Sequence, residues 1–211
     1  MVSVEEFLER AEISDANDRA AAIEKYVDLL IEFNNSMNLI GPMKKPEIIA
    51  ELILDSLVPL LIWPPGIEVL DVGSGAGLPG IPLAIARPDL QFRLVEPRKK
   101  RSQFLKIVAN RLGLKNVRVW ANRLEELPVQ PVDVAISKAV FSPVDFLKNL
   151  GPWTANGGFM ISMCASDALG ELERYAAEHA LKKCAEISDA AQVTGHATEI
   201  QRSVLVWQTP D

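Results

Sequence analysis

The 211-residue sequence predicts an α/β fold, in which a mostly parallel sheet with helices on both faces follows an N-terminal helical segment. Three observations lead to this prediction. Apolar residues recur at helical spacing before residue 62, β-rich and helical runs alternate after residue 66, and a glycine-rich loop follows the first β-rich run. Strands and helices that alternate in this way form βαβ units, and these units produce parallel sheets.

The N-terminal helical segment is predicted to span residues 1–63. Apolar side chains recur every three or four residues over residues 15–37 and again over residues 47–61, which predicts two helices. Residues 63–66, Trp-Pro-Pro-Gly, interrupt the pattern because proline cannot donate the helical hydrogen bond and glycine permits a sharp turn. The second domain is therefore predicted to span residues 67–211.

Strands and helices are predicted to alternate through this second domain. The predicted strands cover residues 69–72, 92–96, 117–121, 132–137 and 159–163. The predicted helices cover residues 79–86, 99–112, 143–150 and 167–179. Two further strands, over residues 181–187 and 199–207 with a polar loop between them, are predicted to complete the fold.

Composition excludes several classes of protein. The two cysteines, Cys164 and Cys184, fit neither a zinc motif nor a disulfide framework. No apolar run approaches the roughly 20 residues of a membrane span, and the acidic, amphipathic N terminus differs from a signal peptide. We therefore expect a soluble, cytoplasmic protein without a metal site and without a membrane partner; the oligomeric state is not predicted.

The loop after the first strand reads LDVGSGAGLPGIP over residues 70–82 and is the predicted cofactor contact. Gly75, Gly77 and Gly80 match the dinucleotide pattern G-x-G-x-x-G. Glu96 follows Gly77 by 19 residues, near the end of the next strand, where a carboxylate can bind ribose hydroxyls.

Two features of this loop oppose a cofactor that carries phosphates. Asp71 is expected at the mouth of the loop, where its carboxylate would repel phosphate and attract a cation. Pro79 and Pro82 remove backbone N–H groups that hold an anion at a helix N-terminus. S-adenosylmethionine has no phosphate and carries an ammonium and a sulfonium, so it is the expected cofactor; a nicotinamide oxidoreductase is the remote alternative.

Several motifs carry a family resemblance. They are residues 71–83, Glu96, Lys100-Arg101, Phe104-Leu105, the Arg-Leu-Glu-Glu of residues 123–126, and upstream Asn38-Leu39 and Asp55-Ser56-Leu57. Together they resemble the small-subunit (16S) ribosomal RNA guanine-N7 methyltransferases, the glucose-inhibited division protein B family, and Gly-Leu-Pro-Gly-Ile-Pro is the specific part. The resemblance implies a Rossmann-like class I fold, with residues 67–211 as the S-adenosylmethionine-dependent methyltransferase domain.

The loop pattern and the resemblance together assign a cofactor site. It consists of Asp71, Gly73, Gly75, Gly77, Leu78, Glu96, Leu124, Glu125 and Lys138. The resemblance places Leu124 and Glu125 beside the adenine. Lys138 stands where the family has arginine, so it keeps the positive charge but loses the planar fork that would hold the cofactor or Glu125.

Three further positions depart from the family pattern on the expected substrate side. Ile40, Leu52 and Met163 stand where the family has threonine, histidine and lysine. Each departure removes a polar group. A divergent substrate or a weakened activity is therefore one interpretation of this chain.

A basic segment predicts contact with RNA although the net charge is −6. Residues 93–123 contain ten basic residues and one acid, next to the expected site. The predicted RNA-binding residues are Arg98, Lys99, Lys100, Arg101 and Arg123. The alternative is a solvated helix face whose side-chain stems cover the sheet.

No catalytic residue is assigned, because guanine N7 has a lone pair and no proton to lose. The sequence Ser-Lys-Ala-Val at residues 137–140 differs from the motif typical of enzymes that methylate exocyclic amines. The leading hypothesis is N7 methylation of 16S ribosomal RNA, free or within the small subunit. Two alternatives stay open: a methyltransferase of similar fold for a small molecule or protein, and a non-catalytic ribosome-binding or RNA-binding relative.

Overall fold

The computed structural model describes residues 2–138, 140–165, 169–196 and 202–211. Their strands are β1 (Glu68–Val72), β2 (Gln91–Val95), β3 (Val117–Trp120), β4 (Val132–Lys138), β5 (Thr154–Ala165), β6 (Lys182–Ile187) and β7 (Arg202–Gln208). They form a sheet with the order β3-β2-β1-β4-β5-β7-β6. Strands β1 to β5 pair in parallel, and β7 is antiparallel to both β5 and β6. This arrangement confirms the predicted fold class.

The helices flank this sheet in the predicted alternation. They are α1 (Val4–Arg10), α2 (Ala16–Met37), α3 (Lys45–Glu47), α4 (Asp55–Leu57), α5 (Gly80–Ala86), α6 (Lys99–Arg111), α7 (Pro143–Leu150), α8 (Leu169–Glu178) and α9 (Ala190–Thr194). Helix α9 lies where the sequence predicted only a polar loop. Residues 167–168 of a predicted helix and residues 199–201 of a predicted strand lie outside the described residues.

The second predicted N-terminal helix, residues 47–61, is helical throughout but irregular. A π-helical segment, Ile48–Leu54, separates α3 from α4, and a 3₁₀ segment, Val58–Ile62, follows α4. The Leu52 carbonyl accepts a hydrogen bond from the Ser56 hydroxyl at 2.6 Å, and Pro59 lacks an N–H to continue the α-helical pattern. Both features distort a stretch that the apolar periodicity alone predicts to be regular.

The N-terminal helical segment shares one hydrophobic core with the sheet. Val69 of β1 is buried on the face that α2 and α5 cover, in one cluster with Leu30 and Ile81. Leu70 is buried on the opposite face, which α7 and α8 cover, because successive strand residues point to opposite sides. Within the described ranges, no helix has both the length and the apolar character needed to cross a bilayer.

Candidate functional site

The glycine-rich loop connects β1 to α5 at the carboxyl end of the parallel strands. Gly73, Gly75 and Gly77 have φ angles of +71°, +57° and +102°, which side chains rarely tolerate. A Cβ atom on Gly73 would overlap the side chain of Val140, which follows β4. Glycine therefore permits both the turn and the close approach of the neighbouring loop.

Five backbone N–H groups of this loop bond within the protein. Gly73 and Ser74 donate to the Val95 carbonyl (2.8 and 3.1 Å), Gly75 donates to Glu96 Oε2 (2.9 Å), and Gly77 and Leu78 donate to the Ser74 carbonyl (2.6 and 2.9 Å). A phosphate-binding loop directs such N–H groups at the anion instead. The loop is consequently poorly suited to a pyrophosphate.

Asp71 does not lie at the mouth of the loop, so that expectation is wrong. Its side chain is fully buried beneath the loop, because it belongs to β1 between the buried Leu94 and Ile136 of the adjacent strands. Oδ2 accepts a hydrogen bond from the Gly80 N–H at 3.1 Å. Oδ1 has no hydrogen-bond partner among the described residues. Burial raises the pKa of Asp71 to about 7.

Glu96 links the end of β2 to the glycine-rich loop. The residue is only 3% exposed. Its Oε2 accepts from the Gly75 N–H at 2.9 Å, and its Oε1 accepts from the Arg98 N–H at 2.8 Å. Each carboxylate oxygen has a second lone pair, so Glu96 retains acceptor capacity for ribose hydroxyls.

Lys138 is engaged by the N-terminal helical segment instead of by Glu125. Its Nζ forms an ion pair with Asp55 Oδ2 at 2.6 Å, and Arg202 Nη1 contacts the same oxygen at 2.9 Å. Burial lowers the pKa of Lys138, although Asp55 opposes the shift. Because Asp55 comes from a segment remote in sequence, the spacing of motifs did not predict this pair.

Leu52 and Met163, two of the positions that depart from the family pattern, lie near Lys138. The Leu52 carbonyl lies 3.4 Å from Lys138 Nζ, and Met163 is the register neighbour of Lys138 on β5. Ile40 packs against the same hydrophobic core as Leu52 and Met163, but it has no contact with Lys138 among those described. Residues 52 and 163, where the family has polar side chains, therefore both lie near the carboxyl ends of β4 and β5.

The remaining predicted cofactor residues lie in or near the loops at this edge. Leu78 packs against the core beside the glycine-rich loop. Leu124 is buried in a short 3₁₀ helix, Leu124–Glu126, that follows β3, and Glu125 is exposed in the same helix. These positions are compatible with an adenine-contacting role, which stays a prediction.

The predicted RNA-binding residues lie at the start of α6 and after β3. Arg98, Lys99 and Lys100 are exposed at the start of α6, and Arg123 is exposed before the 3₁₀ helix. Arg101 lies against the loop, with Nη1 at 3.6 Å from the position of a Cβ on Gly75. Within the described part of the chain, none of these five side chains forms an ion pair with a carboxylate. Their charges are consequently available to phosphates.

Sequence reasoning missed Tyr26, which reaches the loop from α2. Its hydroxyl donates a hydrogen bond to the Ala76 carbonyl at 2.8 Å, and its side chain is fully buried. Its sequence signal is weak: an aromatic residue with a polar end on the apolar stripe of α2. Among the described residues, no group of three acidic, histidine or cysteine side chains could hold a metal ion.

Comparisons with known proteins agree with this architecture. Ribosomal RNA small subunit methyltransferase G of Streptomyces avermitilis is 37% identical over 192 residues, which cover 90% of this chain and 79% of that protein. The protein of the same name from Corynebacterium diphtheriae is 44% identical over 154 residues, covering 71% and 69%. Aeropyrum pernix fibrillarin, solved with natively bound S-adenosyl-L-methionine, shares the fold, with a TM-score of 0.56, 14% identity and 72% of each chain covered.

The family comparison covers both the N-terminal helical segment and the sheet. The model of the GidB family, described as rRNA small subunit methyltransferase G, matches residues 19–200. That range includes the glycine-rich loop, Glu96 and Lys138, and it confirms the resemblance predicted from the motifs. The chain therefore belongs to the GidB family of small-subunit ribosomal RNA methyltransferases.

Proposed function

We propose that this protein transfers a methyl group from S-adenosylmethionine to N7 of a guanine in 16S ribosomal RNA. Family membership supports both the reaction type and the substrate class. One observation carries the choice of cofactor: Asp71 and Glu96, both buried, converge on a loop in which five N–H groups bond within the protein. Such a site suits a cofactor with positive charge and without phosphates.

The residues at the loop fit S-adenosylmethionine. Asp71 Oδ1 is a buried acceptor without a partner in the described chain, so it offers a counter-charge for an ammonium group. Glu96 would accept from ribose hydroxyls, and Leu124 would supply an apolar contact for adenine. Gly75 allows close approach to the backbone, since even a Cβ there would meet only Arg101 Nη1 at 3.6 Å and the Gly73 carbonyl at 3.7 Å. The bound cofactor supplies a methyl group on a sulfonium, which makes that methyl electrophilic.

The transfer makes few chemical demands on the protein. Guanine N7 has an in-plane lone pair, which forms the new N–C bond while the C–S bond breaks and sulfur keeps its electron pair. No proton leaves N7, so no general base is required. The protein contributes by holding the two reactants in line and by excluding water.

The RNA is proposed to contact the basic residues at the start of α6 and after β3. Arg98, Lys99, Lys100, Arg101 and Arg123 concentrate positive charge on a protein whose net charge is −6. Local charge, rather than net charge, determines how a protein meets phosphates. Because the proposed substrate is ribosomal RNA, we propose that the reaction takes place in the cytoplasm.

A methyl-transfer assay tests the proposed function. Small subunits from cells that lack this gene are incubated with the protein and methyl-labelled S-adenosylmethionine, and the 16S ribosomal RNA is then digested for mass spectrometry. We expect label in N7-methylguanosine. Gly73→Leu should abolish labelling because its side chain would overlap Val140 and displace the loop, whereas Gly170→Ala, where a Cβ would meet nothing within 4 Å, should not.

Other outcomes of this assay separate the alternatives. Label in another nucleotide position would refute the N7 assignment. Binding of cofactor and subunit without any transfer would favour a non-catalytic relative, as the apolar residues at positions 52 and 163 suggest. Transfer to a protein or small molecule, but not to RNA, would favour a methyltransferase of similar fold with another substrate.

A further inference from the structure

We infer that the N-terminal helical segment forms part of the cofactor site, with Tyr26 as the residue that positions the glycine-rich loop. This inference rests on the proposed function of that loop. Tyr26 lies in the middle of α2, and Ala76 is 50 residues away in the sequence. Their 2.8 Å hydrogen bond joins the helical segment directly to the loop between β1 and α5.

The Tyr26 hydroxyl bonds to the middle of the loop, where glycine residues allow the backbone many conformations. Ala76 lies between Gly75 and Gly77, whose φ angles are both positive. Glycine on each side gives the backbone more accessible conformations than other residues allow. A directional hydrogen bond to the Ala76 carbonyl therefore restricts the part of the loop that glycine leaves least restricted.

The donor is held rigidly by the packing of α2. Ile23, Val27 and Leu30 lie on the same face of the helix as Tyr26, and all four side chains are fully buried. Burial, together with the charge of Asp71, raises the pKa of Tyr26, so the hydroxyl keeps its proton and donates. No rearrangement is needed to place the hydroxyl opposite the carbonyl.

The other hydrogen bonds of the loop do not replace the Tyr26 bond. Its neighbouring hydrogen bonds run towards β2, through Gly73, Ser74 and Gly75, or within the turn, through Gly77 and Leu78. Tyr26 approaches instead from the N-terminal helices. The loop is thus fixed between two independent elements, and the removal of one hydroxyl should loosen it while leaving the sheet intact.

Tyr26→Phe tests this role because it removes the hydroxyl and keeps the ring. We expect the dissociation constant for S-adenosylmethionine to rise about five- to tenfold, the effect of losing one buried hydrogen bond. Calorimetry measures that constant on folded protein, and urea unfolding measures stability separately. In cofactor-free protein, hydrogen exchange at the Gly77 and Leu78 amides should also become faster.

Ile23→Val is the matched control on the same helix. It removes one buried methylene and is expected to lower the midpoint of urea unfolding slightly, without touching the loop. We expect its cofactor affinity and loop exchange to equal those of the wild type. A purely structural role for Tyr26 predicts instead that both variants change affinity and exchange in proportion to their loss of stability.

The outcomes separate this inference from the proposed function. Unchanged affinity and unchanged loop exchange in Tyr26→Phe would overturn the inference, as would equal effects in both variants. If the wild type fails to bind S-adenosylmethionine, the proposed function fails, and loop exchange in the cofactor-free protein still decides whether Tyr26 holds the loop.

Discussion

Replacement of Asp71 by asparagine should remove a specific pH dependence of folding stability. The carboxylate is fully buried, one of its oxygens has no hydrogen-bond partner among the described residues, and burial raises its pKa from 3.8 to about 7. The folded state therefore holds a proton that the unfolded state has lost between about pH 4 and pH 7. Over that window, the contribution of Asp71 to stability falls as the pH rises.

The size of the effect follows from the difference between the two pKa values. Each unit of pKa corresponds to about 1.4 kcal/mol. A difference of about three units makes the ionised Asp71 cost about 4 kcal/mol of unfolding free energy above pH 7, relative to pH values below 4. Asparagine has a similar shape and does not ionise, so Asp71→Asn lacks this loss.

Urea unfolding at constant ionic strength, at steps between pH 4.5 and pH 8.5, measures the effect. The informative quantity is the stability of wild type minus that of Asp71→Asn at each pH, because contributions of other titrating groups cancel. We expect this difference to fall by several kcal/mol across the range, with equal m-values. Parallel stability curves for the two proteins would refute the assignment of a raised pKa to Asp71.

Three further changes test other parts of the site. Gly80→Ala places a Cβ 2.5 Å from Asp71 Oδ2, so it should cost about 1–3 kcal/mol in urea unfolding and weaken cofactor binding; wild-type behaviour would contradict the close packing. Lys138→Met removes one partner of a buried ion pair and should destabilise the protein by about 3 kcal/mol; a stability change below 1 kcal/mol would show that the pair is dispensable. Glutamine at all four positions 98–101 should reduce the slope of log binding constant against log salt concentration by about one unit per lost phosphate contact. Cofactor affinity should stay constant. An unchanged slope would favour a solvated helix face, and Lys182→Gln on the opposite edge strand is the control.

Local sequence pattern predicted most of the secondary structure and the place of the site. Apolar periodicity and the turn residues at positions 63–66 separate the helical segment from the sheet. The glycine-rich loop and Glu96 lie at the carboxyl ends of β1 and β2, as the alternation of strands and helices requires. These features depend on residues that are close in sequence, so the sequence alone is sufficient to predict them.

Long-range packing determined the partners of the key side chains. Asp71 was expected at the loop mouth but is buried, because its strand is central in the sheet and paired on both sides. Lys138 pairs with Asp55, and Tyr26 bonds to Ala76, because the N-terminal helices pack against the sheet beside the loop. The sequence by itself determined most of the elements and singled out the loop proposed to bind the cofactor. Only the tertiary structure decided which distant residues meet there, since such contacts depend on how the elements pack and leave no periodic signal.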